Sequence, residues 1–243
     1  EVAPVRAEVD EDRSQALTGC RFHASYLPAR LRWLARTEPA TVATVTRWMS
    51  LGEYVWLRLL GDTAAGTSVA AWGGLLNRHT GQWAPAMLEL AGITEDQLNR
   101  IADPADGLSP QKGSKARKLW PSLKQAHWCA PIGDGYAATC GIGDASGSPV
   151  ISLATSGAMR MLVDDPVGTG GLDLPRGLWS YRVDSQHSLI GGAVNDVGRA
   201  TGWMVRELRL PDDAIGAAPL PGPPPALTPA ALPPFAGARS ARC

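Results

Sequence analysis

The sequence predicts an α/β fold, and three features carry that reading: a capped amphipathic helix at about 51–60, two strands joined by a tight turn at about 150–163, and a Gly-rich change of texture between them. Taken in order, Leu27, Leu31 and Leu34 recur at helical spacing after Tyr26, with Pro28 in the early position that a helix tolerates. Arg30, Arg32 and Arg36 then fall largely on the wet side. Ser50 and Glu53 have the spacing of a reciprocal capping box ahead of Tyr54, Val55, Leu57, Leu59 and Leu60, and Gly61 is the stop. The run TAAGTSVAAWGGLLN from Thr63 has no helical stripe and too many glycines for a stable strand, so a loop or short extended segment is expected. A short helix should start at Pro85 and end at Gly92. Residues 94–120 read as a polar excursion, with Lys112, Lys115, Arg117 and Lys118 as solvated surface. After the Gly-rich run from Ala130, Val150, Ile151 and Leu153, then Met159, Met161 and Val163, read as strands about a turn at Ala154–Gly157. A domain boundary is expected near Ser146. The Gly191-Gly192 pair should lead into a helix through Trp203, Val205 and Leu208, and the Pro and Ala content beyond Pro211 argues against regular structure until Leu232.

With 243 residues the chain can bury a real core as one large domain or two modest ones. Its 23 basic and 23 acidic side chains cancel, which removes the field that would draw it onto DNA or an anionic membrane. Its apolar stretches are broken by Arg, Gly or Pro before the ~18 residues that a bilayer crossing needs, and the opening EVAPVRAEVDEDR is acidic rather than signal-like. Cys20, Cys129, Cys140 and Cys243 form no C-x-x-C pair, and none of His23, His79, His127 and His187 completes a zinc-type spacing, so no metal site is expected. Sparse, unpatterned cysteine points to a reducing cytoplasm.

Several short motifs could carry chemistry. Gly133-Asp134-Gly135 sets a carboxylate between two residues with no side chain to block an approaching substrate, and such an Asp can take the proton of an attacking hydroxyl. An ordinary Asp-Gly turn is the other reading. Ala154-Thr155-Ser156-Gly157 could present N–H and O–H groups to phosphate oxygens, or could simply turn a hairpin. As a hydrolase nucleophile elbow it fails, because Ala154 and Ala158 stand where both outer glycines belong, and Asp184 and His187 follow too closely to lie on separate elements. Gly141-Ile142-Gly143 lacks the third glycine of a dinucleotide fingerprint, and no Walker A loop is present. Gly191-Gly192-Ala193 could admit a flat ligand, or serve only close backbone packing. Of nine tryptophans, Trp83, beside Gln82 and downstream of Asn77, has the setting for stacking on a sugar ring; core packing is the alternative.

In their order along the chain, TGCRFHASYLPARLRWL (18–34), WMSLGEYVWLRLLG (48–61), SVAAWGGLLNRHTGQW (68–83), ELAGI (89–93), GDG (133–135), ISLATSGAMR (151–160), LWSYRVD (178–184) and GGAVND (191–196) resemble the FGGY carbohydrate kinases, in particular their gluconate-kinase and xylulokinase-like branch. LPPFAGARS at 232–240 resembles a worn copy of the family signature L-P-F-x-x-G-E-R-S. The resemblance implies ribonuclease-H-like α/β domains of the actin and hexokinase type. Residues 1–145 would be the later part of the N-terminal, sugar-binding domain and 146–243 the first part of the C-terminal, nucleotide-binding domain, both incomplete. It further implies ATP-dependent phosphorylation of a sugar or sugar-acid hydroxyl, a gluconate-like substrate being favoured, with Mg²⁺ on the phosphates. By the same resemblance Asp134 is the catalytic base, and Thr155, Ser156 and Gly157 face phosphate. Gly191, Gly192 and Ala193 lie near the adenosine part, while Ser68, Leu76, Asn77 and Trp83 stand on the sugar side. A homodimer is admitted; nucleic acid and membrane are not expected partners.

The departures from the family pattern are specific. No D-x-G-T turn is present; Ala154 replaces a glycine, and its Cβ would clash with phosphate if that residue needed a positive φ. Val197 and Arg199 interrupt the Gly-rich continuation after GGA, Ala84 replaces an acidic residue, and Ala238 replaces the signature Glu. These admit a partial or degraded copy, or a non-catalytic remnant or interaction module that keeps the fold without ATP turnover.

Overall fold

A computed structural model describes residues 1–142, 147–195 and 197–211. Helices α1 (Val2–Glu8) and α2 (Glu11–Thr18) precede α3 (Leu27–Thr37), α4 (Pro39–Val42) and α5 (Leu51–Leu60). Strand β1 (Ala65–Gly66) runs straight into α6 (Thr67–Trp72), followed by the hairpin β2 (Leu76–Asn77) and β3 (Gln82–Trp83) and by α7 (Pro85–Ala91). Then come β4 (Ile101–Ala102), β5 (Gly107–Leu108), α8 (Lys115–Leu119), β6 (Trp128–Cys129) and α9 (Asp134–Cys140). The last part holds β7 (Val150–Leu153), β8 (Gly157–Asp164), β9 (Trp179–Arg182), β10 (His187–Val194) and α10 (Gly198–Glu207). The expected boundary at Ser146, Gly143, Asp196, Cys243 and the 232–240 match lie outside the described residues.

The helix signals read from the sequence act as expected where a cap is explicit. Pro28 sits in the first turn of α3 after Tyr26, and in α5 the Ser50 hydroxyl accepts from Glu53 N–H while the Glu53 carboxylate accepts from Ser50 N–H at 2.7 Å. The acidic opening is itself helical: Asp10 caps α2 by accepting from the backbone N–H groups of Asp12 and Arg13. Gly19 closes α2 at φ +77°, and a Cβ there would run into the carbonyl of Ser180, so this turn also brings α2 against β9.

Three expectations are corrected. The run from Thr63 is not a loop: Thr67–Trp72 forms α6, a helix with Thr67, Ser68, Ala70 and Ala71 buried, where burial of small residues overrides the missing stripe. The Gly191-Gly192-Ala193 segment does not open a helix but lies inside β10; the helix starts only at Gly198. The 94–120 region contributes β4, β5 and α8, with Ala102, Leu108 and Ala116 buried in a small core beside Leu60.

Strands β7, β8, β10 and β9 form an antiparallel sheet in that spatial order. Its register sets three rows across one face: Val150, Arg160, Gly191 and Trp179; Ser152, Ala158 and Ala193; Leu162, Leu189 and Tyr181. That face packs on α6, and one apolar cluster joins Ala65, Ala70, Ala71 and Leu76 to Trp179, Tyr181, Val183 and Leu189. No described helix is long and apolar enough to cross a membrane.

Candidate active site

A cavity of about 120 Å³ opens where α6 and α9 meet the first two rows of the sheet. Asp134, at the first position of α9, is exposed at its mouth, and its own Oδ1 accepts from Gly135 N–H at 2.7 Å. Gly133 is held from below, because the buried Ser68 hydroxyl on α6 accepts its N–H at 3.0 Å. Across the cavity stand Ser156, Gly157 and Ala158, where the turn enters β8, and Ala193 of β10. The turn is tied down by backbone bonds from Val197 N–H to Thr155 O and from Gly198 N–H to Ala154 O. Among the described residues Arg209 is the non-glycine with a positive φ, so Ala154 sits in ordinary backbone and needs no glycine.

The back wall is aromatic. Trp179 stacks on Tyr181 with centroids 4.9 Å apart, and Trp72 of α6 meets both rings edge-on. Gly191 exists for this wall: a Cβ there would meet the Met159 carbonyl and come within 2.7 Å of the Trp179 ring. Arg160, in the same row, lines the cavity and donates from Nη1 to Ser152 Oγ at 3.0 Å, while its Nε is buried with no protein partner. Burial pushes the Tyr181 phenol well above its usual range, with the Arg160 charge opposing that shift and the Asp134 charge adding to it.

The structure thus brings together Asp134, Ser156, Gly157 and Ala193 from the residues singled out in the sequence, with Ser68 one hydrogen bond behind them. Thr155 stands at the tip of the turn and Gly192 on the opposite face of β10, against Leu178. Leu76 is fully buried in core, Asn77 accepts from His79 N–H inside the β2–β3 turn, and Trp83 donates from its indole to Asn99 O at 3.1 Å. Trp83 instead borders a second, more apolar cavity of about 310 Å³ with Trp48, Leu31 and Leu75. His187 does bond Asp184 at 2.9 Å, yet both sit at the far end of the β8–β10 ladder from Ser156. At ~3.3 Å per residue that is about 23 Å, which removes a Ser-His-Asp triad.

Arg160, Trp72, Trp179 and Tyr181 were not singled out in the sequence. The available signal was period two: Ala158, Arg160 and Leu162 alternate along a half-buried strand, and a charged residue in such a row points at something.

Comparison with known proteins defines the class. Residues 1–114 match the model of the FGGY family of carbohydrate kinases, N-terminal domain. A gluconokinase of Bacillus licheniformis is 22% identical over 201 residues, 82% of this chain and 38% of that protein. The solved gluconate kinase of Lactobacillus acidophilus superposes with a TM-score of 0.75 at 27% identity, covering 88% of this chain and 42% of that one. Ligand-bound xylulose kinase of the same organism gives 0.74 at 27%, with 85% and 41% covered. The fold is therefore of the actin and hexokinase type, and the first 114 of the 243 residues are similar to the N-terminal domain of the FGGY carbohydrate kinases. It spans well under half the length of these relatives.

Proposed function

We propose that this chain carries part of the active site for ATP-dependent phosphorylation of a sugar or sugar-acid hydroxyl, a gluconate-like acid being the favoured acceptor, in the cytoplasm. The observation that carries the reading is the shared cavity: the Gly-flanked carboxylate of Asp134 faces the Ser156–Gly157 turn across about 120 Å³. A hydroxymethyl end and one phosphoryl group fit such a space; the rest of a sugar and a nucleotide must extend outside it.

In this reading Asp134 orients the hydroxyl and takes its proton as the oxygen attacks the γ-phosphorus of ATP, while the bond from that phosphorus to the bridging oxygen breaks and ADP leaves. The backbone of Ser156–Ala158 faces the phosphate oxygens, and the Trp72, Trp179 and Tyr181 wall keeps water from the back. Mg²⁺ bound with the nucleotide would neutralise charge on the phosphate oxygens, and Asp134 is the carboxylate of the cavity lining that would face it. Residues 1–145 would then be the sugar-binding side and 146–243 the nucleotide side. Gluconate as acceptor is supported by the gluconokinase and gluconate kinase similarities, at 22% and 27% identity. The test is Asp134→Asn: turnover of gluconate and xylulose should fall by at least about a hundredfold with Mg-ATP binding retained. Unchanged turnover removes Asp134 and the reading with it.

A further inference from the structure

We infer that the guanidinium of Arg160 holds the oxygens of the phosphoryl group as it is transferred beside Asp134. The inference deepens the kinase reading and rests on it for the identity of the anion. Among the eleven residues lining the cavity, Arg160 is the one cation and Asp134 the one carboxylate. No ion pair within 4.0 Å joins them among the described residues, so neither neutralises the other by direct contact. Arg160 has five N–H donors. One reaches Ser152 Oγ, the guanidinium also bonds the Tyr181 side chain, and Nε, buried from water, reaches no protein acceptor. Nε is shut in against Gly135 and Tyr181, so an anion in the cavity meets the guanidinium through its terminal N–H groups, where charge-assisted hydrogen bonds are strong.

Position selects which anion. A Cβ placed on Gly135 would lie 3.1 Å from Arg160 Nε and 3.2 Å from the Tyr181 hydroxyl, so the guanidinium adjoins the residue directly after the proposed base. Two positions earlier on β8, Ala158 lines the same wall, continuous with Gly157 and Ser156. An anion on Arg160 therefore lies at the reacting end of the acceptor. The carboxylate of a six-carbon acid that reacts through its far hydroxyl would lie several bonds away, beyond a space of about 120 Å³. During transfer, charge spreads over the equatorial oxygens of the phosphoryl group, and a planar, permanently charged fork matches two of them at once.

The experiment uses the full chain and titrates inorganic phosphate, and separately gluconate, by calorimetry against wild type, Arg160→Met and Arg160→Lys. Phosphate affinity should fall at least about tenfold in Arg160→Met and by a smaller factor in Arg160→Lys, which keeps the charge but not the fork. Where Arg160→Met does not fold, judged by its melting transition, Arg160→Lys decides alone. Equal phosphate affinity in the folded variants and wild type, or no phosphate binding by wild type, overturns the proposal. Loss of gluconate binding with phosphate binding intact also overturns it, and makes Arg160 a reader of the acceptor's carboxylate. In a turnover assay the expected signature is a kcat loss of roughly a hundredfold, shared by gluconate and neutral xylulose, with KM for either sugar little changed. A chain that binds phosphate through Arg160 yet phosphorylates neither sugar counts against the kinase reading and leaves the anion site standing.

Discussion

Two arginines on one small sheet have opposite fates. Arg182, on β9, is 1% exposed: it donates to the carbonyls of Arg78, Asp165 and Asp184 and to the Asp165 carboxylate, which Ser188 Oγ completes at 2.6 Å. Burial pulls its pKa below the ordinary guanidinium value while Asp165 pulls it back up. Arg160, on β8, faces a cavity and leaves Nε unpaired. The first guanidinium is consumed by the fold and the second is left open to a ligand. Arg78 lies between these extremes: its Nη1 is unpaired, and it lines neither the 120 Å³ nor the 310 Å³ cavity. What distinguishes a binding arginine here is an unpaired donor together with an open space.

The comparison breaks first at Asp165. Asp165→Ala removes the carboxylate partner of the buried Arg182 and of the Ser188 hydroxyl, and one of the charges that offset Arg78. Removing one partner of such a buried pair costs about 3–5 kcal/mol, and the urea midpoint should move accordingly. Arg160→Met should move it far less, because it removes the bond to Ser152 and the contact with the Tyr181 hydroxyl but breaks no buried ion pair. Equal losses in the two variants would erase the distinction between a structural and a binding arginine.

Much of this was legible in the residues, and the rest was hidden for physical reasons. Caps are local, so Ser50, Glu53 and Pro28 announced their helices. Asp134, Ser156 and Gly157 drew notice as a Gly-flanked carboxylate and a turn between strands, but their residue types alone fit ordinary turns equally well, and only the resemblance gave them roles. Helix α6 was hidden because its stability comes from burial of Ala70 and Ala71 against a sheet more than a hundred residues later in the chain. The role of Gly191 was hidden for the same reason: only the register with Trp179 shows that its missing Cβ is space for a ring.

Gly191→Ala is the next test in size. The added Cβ meets the Met159 carbonyl and the Trp179 ring, and overpacking of this kind costs about 1–3 kcal/mol. Because Trp179 walls the cavity, near-ultraviolet circular dichroism should change together with the melting temperature. If Gly191 instead touched the nucleotide and not the wall, the same variant would melt normally and lose only Mg-ATP protection.

The smallest expected effect is at Ser68, which separates support from contact. Ser68 is 1% exposed and is not among the cavity's lining residues; the one described bond of its hydroxyl is the acceptance of Gly133 N–H. Ser68→Ala removes that acceptor and leaves the backbone donor to find another, a loss of about 1 kcal/mol in stability. The carboxylate one residue on loses its anchor, so turnover should fall by a few-fold while sugar KM and phosphate affinity stay near wild type. Had Ser68 bonded the sugar directly, KM would rise instead. A Ser68→Thr variant keeps the acceptor and should restore turnover if its methyl is accommodated, which its melting temperature would report. Restored stability without restored turnover would place Ser68 on the substrate and not behind it.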